Sequence, residues 1–358
     1  MAKILATLAI VLYVGSTGTW AHPGTANDVN TETAATRETF MEKSLISYGH
    51  CEDMRESRSL QKRAAERRFE LMARLSIDQN RFLEAKSSRD VATALNTNHL
   101  SNKSGLTSAT KDELFTGSPV CVLVPEVTQG PYYIDGELIR ADVRESQTGI
   151  SLFVDIQVVD INTCKPIPNM YLDWWHCNST GVYSGVVAGG NGNSNDASNL
   201  NATFLRGIAP TDAQGVVQFH STFPGHYNGR APHVHILTHL NGTVFPNGTY
   251  KGGAVQHVGQ LFFDQDLISR VEATSPYNTN TQPLTTNVQD SILAQEAAGQ
   301  HDPIVQYVML GSKIEDGLLA WVTIGVDVKA SQPSQNISPA ATLTANGGVV
   351  NPNAGGGG

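Results

Sequence analysis

From residue 151 onward the sequence breaks into short runs of β-branched and aromatic residues, each bounded by turn signals. They are SLFVDIQVVDI (151–161), MYLDWWHC (170–177), GVVQFHST (215–222), PHVHILTHL (232–240), VGQLFF (258–263) and GLLAWVTIGVDV (317–328), with CKPIPNM (164–170) as a proline turn. Runs of this length at turn-marked spacing predict a mainly β fold, a β-sandwich. Between the second and third runs lies VVAGGNGNSNDASNLNAT (186–203), a loop too polar for a core. Residues 266–270 and 291–299 read as short helices.

The fourth run carries the densest chemistry. In GHYNGRAPHVH (225–235), His233 and His235 stand two apart on a predicted strand, so both imidazoles face the same way and can grip one ion. Pro232 removes a ladder donor just before the pair, and Gly225, Asn228 and Gly229 make the approach a tight loop that brings Tyr227 and Arg230 to the strand mouth. A second tyrosine, Tyr183, follows the polar turn of WWHCNSTGVYS (174–184). Two tyrosines beside two histidines point to ferric iron, a hard cation that favours anionic oxygen and lowers the pKa of a coordinating phenol. The long loop beside such a site is an expected lid.

At these residues, at FLRGIAPTDAQGVVQFHSTFPGHY (204–227) and at TQGPYY (128–133), the sequence resembles the intradiol ring-cleaving dioxygenases, in particular their secreted fungal members. The resemblance implies a prealbumin-like β-sandwich and Fe(3+) held by Tyr183, Tyr227, His233 and His235. It implies a reaction in which a catechol-type ring and O2 give a muconate-type diacid. Tyr227 then doubles as a base toward the substrate hydroxyl, Arg230 stabilises negative charge on the ring oxygen, and Gln260 takes the place of the family's active-site glutamine. One departure stands out: five residues separate Tyr227 from His233, where well-studied bacterial enzymes have a longer loop.

Two other readings use the same residues. A cupin-like metalloenzyme would share the H-x-H, but Ile236 to Leu240 contains no carboxylate after it. A non-catalytic binding module would use Trp174 and Trp175 as an aromatic platform, yet adjacent strand residues face opposite ways, which places at least one in the core.

The remainder of the 358 residues frames this unit. Residues 1–21 combine Lys3, the apolar run ILATLAIVLYV and a small-residue end, the pattern of a signal peptide that leaves His22 first. No run is long and apolar enough for a membrane span, and a formal net charge of -9 offers nothing to nucleic acid or an anionic surface. Secretion makes Cys51, Cys121, Cys164 and Cys177 candidates for two disulfides in any of three pairings. The sequons at Asn102, Asn178, Asn201, Asn241, Asn247 and Asn336 permit glycosylation.

Residues 36–85 read as an amphipathic helix whose basic run, Lys62, Arg63, Arg67 and Arg68, forms a solvated face. Lys62-Arg63 is alternatively a dibasic processing site, which would make the region a propeptide, and the resemblance implies a third reading, a homodimerisation arm. Ser87 to Ser118 has the composition of a linker, and the tail from Ser331 that of a disordered segment. The expected organisation is a signal peptide (1–21), a helical extension and linker (22–118), a dioxygenase sandwich (119–330) and a low-complexity tail (331–358).

Overall fold

The computed structural model describes residues 51, 55–76, 91–100, 120–122, 129–188, 190–192, 195–297, 302–329, 337–344 and 346–352. The leader, His22 and the sequons at Asn102 and Asn336 lie outside them. The helices are α1 (Arg55–Leu75), α2 (Val91–Asn96), α3 (Gln265–Glu272) and α4 (Ser291–Glu296). The strands are β1 (Val120–Val122), β2 (Ile134–Asp135), β3 (Ser151–Asp160), β4 (Tyr171–Trp175), β5 (Arg206–Pro210), β6 (Val216–Thr222), β7 (His233–Leu240), β8 (Thr243–Val244), β9 (Tyr250–Lys251), β10 (Ala254–Phe262), β11 (Gln306–Met309), β12 (Leu318–Val326), β13 (Ala341–Thr344) and β14 (Gly347–Val350). All six predicted runs form strands; β5 and β11 escaped notice, since RGIAP holds a glycine and a proline and QYVM is only four residues long.

Two sheets form the sandwich. One has the order β1-β12-β3-β6, with β11 also paired to β12, and the other the order β10-β7-β4-β5. Alternate residues of each meet in the middle: Leu152, Val154 and Ile156 of β3 and Val322 and Ile324 of β12 pack in one core with Leu172 and Trp174 of β4, Val234 and Ile236 of β7 and Leu261 of β10.

The outer face of the first sheet is covered by α1. Ala65, Leu71 and Met72 pack on Val308, Leu310, Leu319 and Trp321. Asp155 of β3, fully buried, accepts hydrogen bonds from Arg67 Nε and Nη2 (2.8 and 2.9 Å), Arg68 Nε (2.8 Å) and Gln218 Nε2 (2.9 Å). The basic run is therefore split. Lys62 and Arg63 are exposed as expected, but Arg68 is only 1% exposed and Arg67 reaches inward, because the helix needs a charged partner for a carboxylate in the middle of a strand.

A disulfide, Cys51–Cys164, ties the residues ahead of α1 to the β3–β4 turn. In the chain-entropy picture a loop closed over 113 residues contributes about 5 kcal/mol. The expectation of two disulfides fails at Cys177, a buried thiol that donates to the Gly225 carbonyl oxygen (3.3 Å).

Parts of two segments assigned by composition to linker and disorder are docked: residues 91–100 of the first and 337–344 and 346–352 of the second are described. Within 87–118, α2 buries Ala94, and His99 lies buried between Asp264 (Nδ1 to Oδ1, 2.5 Å) and Asp302 (Nε2 to Oδ2, 2.9 Å). Burial opposes charge on His99, but the two carboxylates outweigh it and raise its pKa to about 9. Within the tail, β13 and β14 form a hairpin that pairs with β2, buries Ala341 and touches Asn201 through the Gly348 N–H (3.0 Å). Glycine and asparagine there serve a tight hairpin and its close approach to Leu200 and Asn201, where a side chain at Gly347 or Gly348 would collide.

Candidate functional site

The outer face of the second sheet carries the polar residues. The register aligns Trp175 of β4, His235 of β7 and Gln260 of β10 in one row, and sets His233 beside Phe262 in the next. Strand alternation thus sends Trp174 into the core and Trp175 to the opposite side, where its ring stacks on His235 (centroids 4.9 Å apart, planes 4° apart). Both indoles are buried, which removes the exposed platform that a binding module would need.

Two loops bring the tyrosines over this row. The loop after β4 turns at Gly181 (φ +83°), and the loop after β6 passes Gly225 so closely to the Asn178–Ser179 backbone that a Cβ could not fit. Tyr183 Oη lies 3.4 Å from His233 Nε2 and 3.2 Å from His235 Nε2, and the two nitrogens are 3.0 Å apart. The Tyr227 ring packs edge-on against Tyr183 (centroids 5.4 Å) and beside His233 (5.6 Å). All four side chains are at most 5% exposed.

The tautomer of His233 follows from its neighbour. Its Nδ1 lies 2.6 Å from the Ala231 carbonyl oxygen, which can only accept, so Nδ1 carries the proton and the Nε2 lone pair faces the cluster. Burial drives the pKa of Tyr183 well above that of an ordinary phenol, with Tyr227 and Cys177 adding repulsion; burial likewise raises Tyr227, partly offset by Arg230. Left alone, both phenols are therefore neutral, and a multivalent cation is the group that would favour their anions. Among the described residues no group of three or more His, Cys, Asp or Glu side chains is placed to hold a metal ion, and the side chains that adjoin His233 and His235 as further oxygen donors are tyrosines. The donor set fits ferric iron and is a poor match to a zinc or manganese cupin.

Arg230 and Gln260 meet beside the cluster. Arg230 donates Nη2–H to Gln260 Oε1 (2.5 Å) and Nε–H to Asp290 Oδ2 (2.8 Å). Burial opposes its charge, yet Asp290 and Tyr227 overcome that and hold its pKa above the usual guanidinium value. A fixed cation thus stands close enough to both tyrosines to favour their anions.

Several contributors carry weaker sequence signals. Tyr132, quoted above only as part of TQGPYY, packs against Tyr183 (4.8 Å) and Tyr227 (5.9 Å). Arg206, buried within FLRG, donates to the backbone oxygens of Ser184 (2.9 Å) and Tyr132 (2.6 Å) and lies 6.0 Å from the Tyr183 ring centroid. The loop read as a lid also anchors Tyr183. Asn191 accepts from the Tyr183 N–H (2.8 Å) and donates to its carbonyl oxygen (2.9 Å), and Asn199 donates to that same oxygen (2.6 Å). Asparagines in a polar run gave no hint that two of them are buried clamps.

The profile of the Dioxygenase_C family, described as dioxygenase, matches residues 127–244, a span containing both tyrosines, Arg230 and both histidines. No curated protein sequence matches the chain. An intradiol ring-cleavage dioxygenase from Tetranychus urticae is 31% identical, with 59% of this chain and 98% of that chain covered and a TM-score of 0.47. The dioxygenase domain of a dioxygenase carbohydrate-binding protein fusion from Streptomyces sp. SirexAA-E is 20% identical over 58% of this chain and 99% of that one (TM-score 0.37). Catechol 1,2-dioxygenase from Pseudomonas arvilla C-1 is 17% identical over 62% and 67% (TM-score 0.35). Sequence identity across nearly the whole mite enzyme, together with the family profile over the tyrosine and histidine motifs, shows that the chain belongs to the intradiol ring-cleavage dioxygenases.

Proposed function

We propose that this chain is a secreted, Fe(III)-dependent intradiol dioxygenase that opens catechol-type rings between their two hydroxylated carbons and places both atoms of O2 in a muconate-type diacid. The observation that carries the reading is the convergence of Tyr183 Oη, His233 Nε2 and His235 Nε2 within 3.0 to 3.4 Å of one another, with Tyr227 and Arg230 alongside. When bound by Tyr183, Tyr227, His233 and His235, ferric iron supplies Lewis acidity that favours the deprotonated forms of phenols and makes the catechol electron-rich toward O2.

The chain's own groups account for the rest. Tyr227, on the short glycine-containing loop, is the tyrosine placed to accept a substrate hydroxyl proton. Trp175 and the Ala231 carbonyl oxygen hold the two imidazoles in orientation, so the nitrogens need not reorganise on binding. Arg230, fixed by Asp290 and Gln260 in a buried setting, stabilises negative charge that develops on the ring oxygen.

The test is iron content, visible absorption and O2 uptake on one purified sample. A tyrosinate-to-iron band, its shift to longer wavelength with catechol, and both product carboxylates labelled from 18O2 are expected. Colourless protein containing only zinc, or iron-loaded protein that never consumes O2 with a broad panel of catechols, would end this reading. Secretion is checked by N-terminal sequencing of protein from the medium, with His22 expected first.

A further inference from the structure

Asp290 is buried and makes four hydrogen bonds, two at each carboxylate oxygen. Oδ1 accepts from the backbone N–H groups of Ile292 (2.9 Å) and Leu293 (3.0 Å), which caps α4. Oδ2 accepts from Arg230 Nε–H (2.8 Å) and from the Ala231 N–H (2.8 Å). The Ala231 carbonyl oxygen then takes the Nδ1–H of His233. Capping accounts for Oδ1 alone, and a serine or asparagine would supply it as well. Oδ2 does something a cap does not require: it grips the guanidinium and, one residue on, the backbone against which His233 is oriented.

The far end of α4 acts on the same pair. Glu296 Oε1 accepts the Gln260 N–H (2.7 Å), and Gln260 Oε1 accepts from Arg230. One short helix therefore braces both partners of the Arg230–Gln260 contact from outside the sheet. A planar guanidinium held at Nε and at one terminal nitrogen keeps its plane and direction.

We propose that Asp290 is a positioning residue for ring cleavage: it sets the direction in which Arg230 presents its charge. The inference rests on the reading of the site given above. Asp290 acts through Arg230, so its effect belongs to a coupled pair and disappears when the arginine is gone.

The experiment uses Asp290→Ser, which keeps a capping oxygen for α4 but takes the carboxylate from Arg230, with Asp290→Asn as the second variant should the first not fold. Each is made alone and with Arg230→Ala. Asp290→Ser is expected to keep its iron and visible band, and to lower kcat by about thirtyfold with KM for catechol changed less than about threefold. On the Arg230→Ala background the same change is expected to cost less than about threefold.

A second readout needs no metal and no turnover. In metal-free, 15N-arginine-labelled protein the Arg230 Nε–H signal, assigned by its loss in Arg230→Ala, is expected to exchange with solvent at least about tenfold faster in Asp290→Ser. Equal fold losses on the two backgrounds, or unchanged Nε–H exchange, would overturn the proposal. If the parent protein neither holds iron nor consumes O2, the proposed function fails, and the exchange measurement still decides whether Asp290 places Arg230.

Discussion

The two sheets share one apolar core but solve the problem of their outer faces in opposite ways. The first sheet is covered by a helix, and its buried charges are matched in place: Asp155 takes two arginines from α1 and an amide from Gln218. The second is covered by loops, and its polar groups converge on one point beside His233 and His235. A buried carboxylate that is fully paired gives docking and little else. Two imidazoles and a phenol whose donor atoms face one another suit the cation chemistry proposed for this face. The same strand alternation produced both faces, so the difference lies in what the connecting segments deliver.

The largest expected effect separates the faces outright. Tyr183→Phe or His235→Ala removes a donor from the convergent face, and turnover should fall by about ten-thousandfold or more with loss of the visible band, while thermal stability of the metal-free protein changes little. Equal loss of fold and activity would show that the cluster is merely part of the core. Asp155→Ala is the matching test on the helix-covered face. It strands two arginines, one of them fully buried, and should cost about 3–5 kcal/mol in denaturant unfolding while the protein that remains folded keeps its colour.

Arg230→Ala should retain iron and colour and slow turnover by about a hundredfold, the size expected for one preorganised electrostatic group. Parallel loss of iron and rate would assign it to bracing instead. The acid limb of stability offers a milder probe. Burial works against the Asp155 carboxylate, but Arg67 and Arg68 hold its pKa down to about 2, against 3.8 for an ordinary aspartate. The stability this contributes is present above about pH 4 and is lost as pH falls through about 2; it is on the order of 2 kcal/mol and should vanish in Asp155→Asn. Smallest of all, Asn199→Ala removes one of two amides on the Tyr183 carbonyl oxygen and should cost about 1 kcal/mol. Amide exchange around Tyr183 should be slow in the parent and faster in this variant, whereas a mobile lid would exchange fast in both.

The legible part of the molecule was the part governed by short-range rules. Alternation in PHVHILTHL placed His233 and His235 on one side of β7, and the six strand runs yielded the sandwich, because both depend on neighbours two residues apart. Tyr183, Tyr227, Arg230 and Gln260 came from motif resemblance, and the fold does bring them to one face. What escaped depends on contacts distant in sequence. Asp290 is 60 residues from Arg230, and Asp155 is 88 from Arg67. Composition also misled where small polar residues are buried for their hydrogen bonds: Asn191 and Asn199 looked like loop solvent, and Gly347 and Gly348 like disorder rather than a hairpin on β2.

The disulfide between Cys51 and Cys164 changes the meaning of the exposed Lys62-Arg63 pair. A protease cutting there would sever α1 in its middle, yet neither half would leave: Cys51 holds the upstream piece to the β3–β4 turn, and Arg67, Arg68, Leu71 and Met72 hold the downstream piece to the sheet. Cleavage would therefore produce a mature two-chain protein, single on a non-reducing gel and double on a reducing one, rather than an enzyme freed from its propeptide.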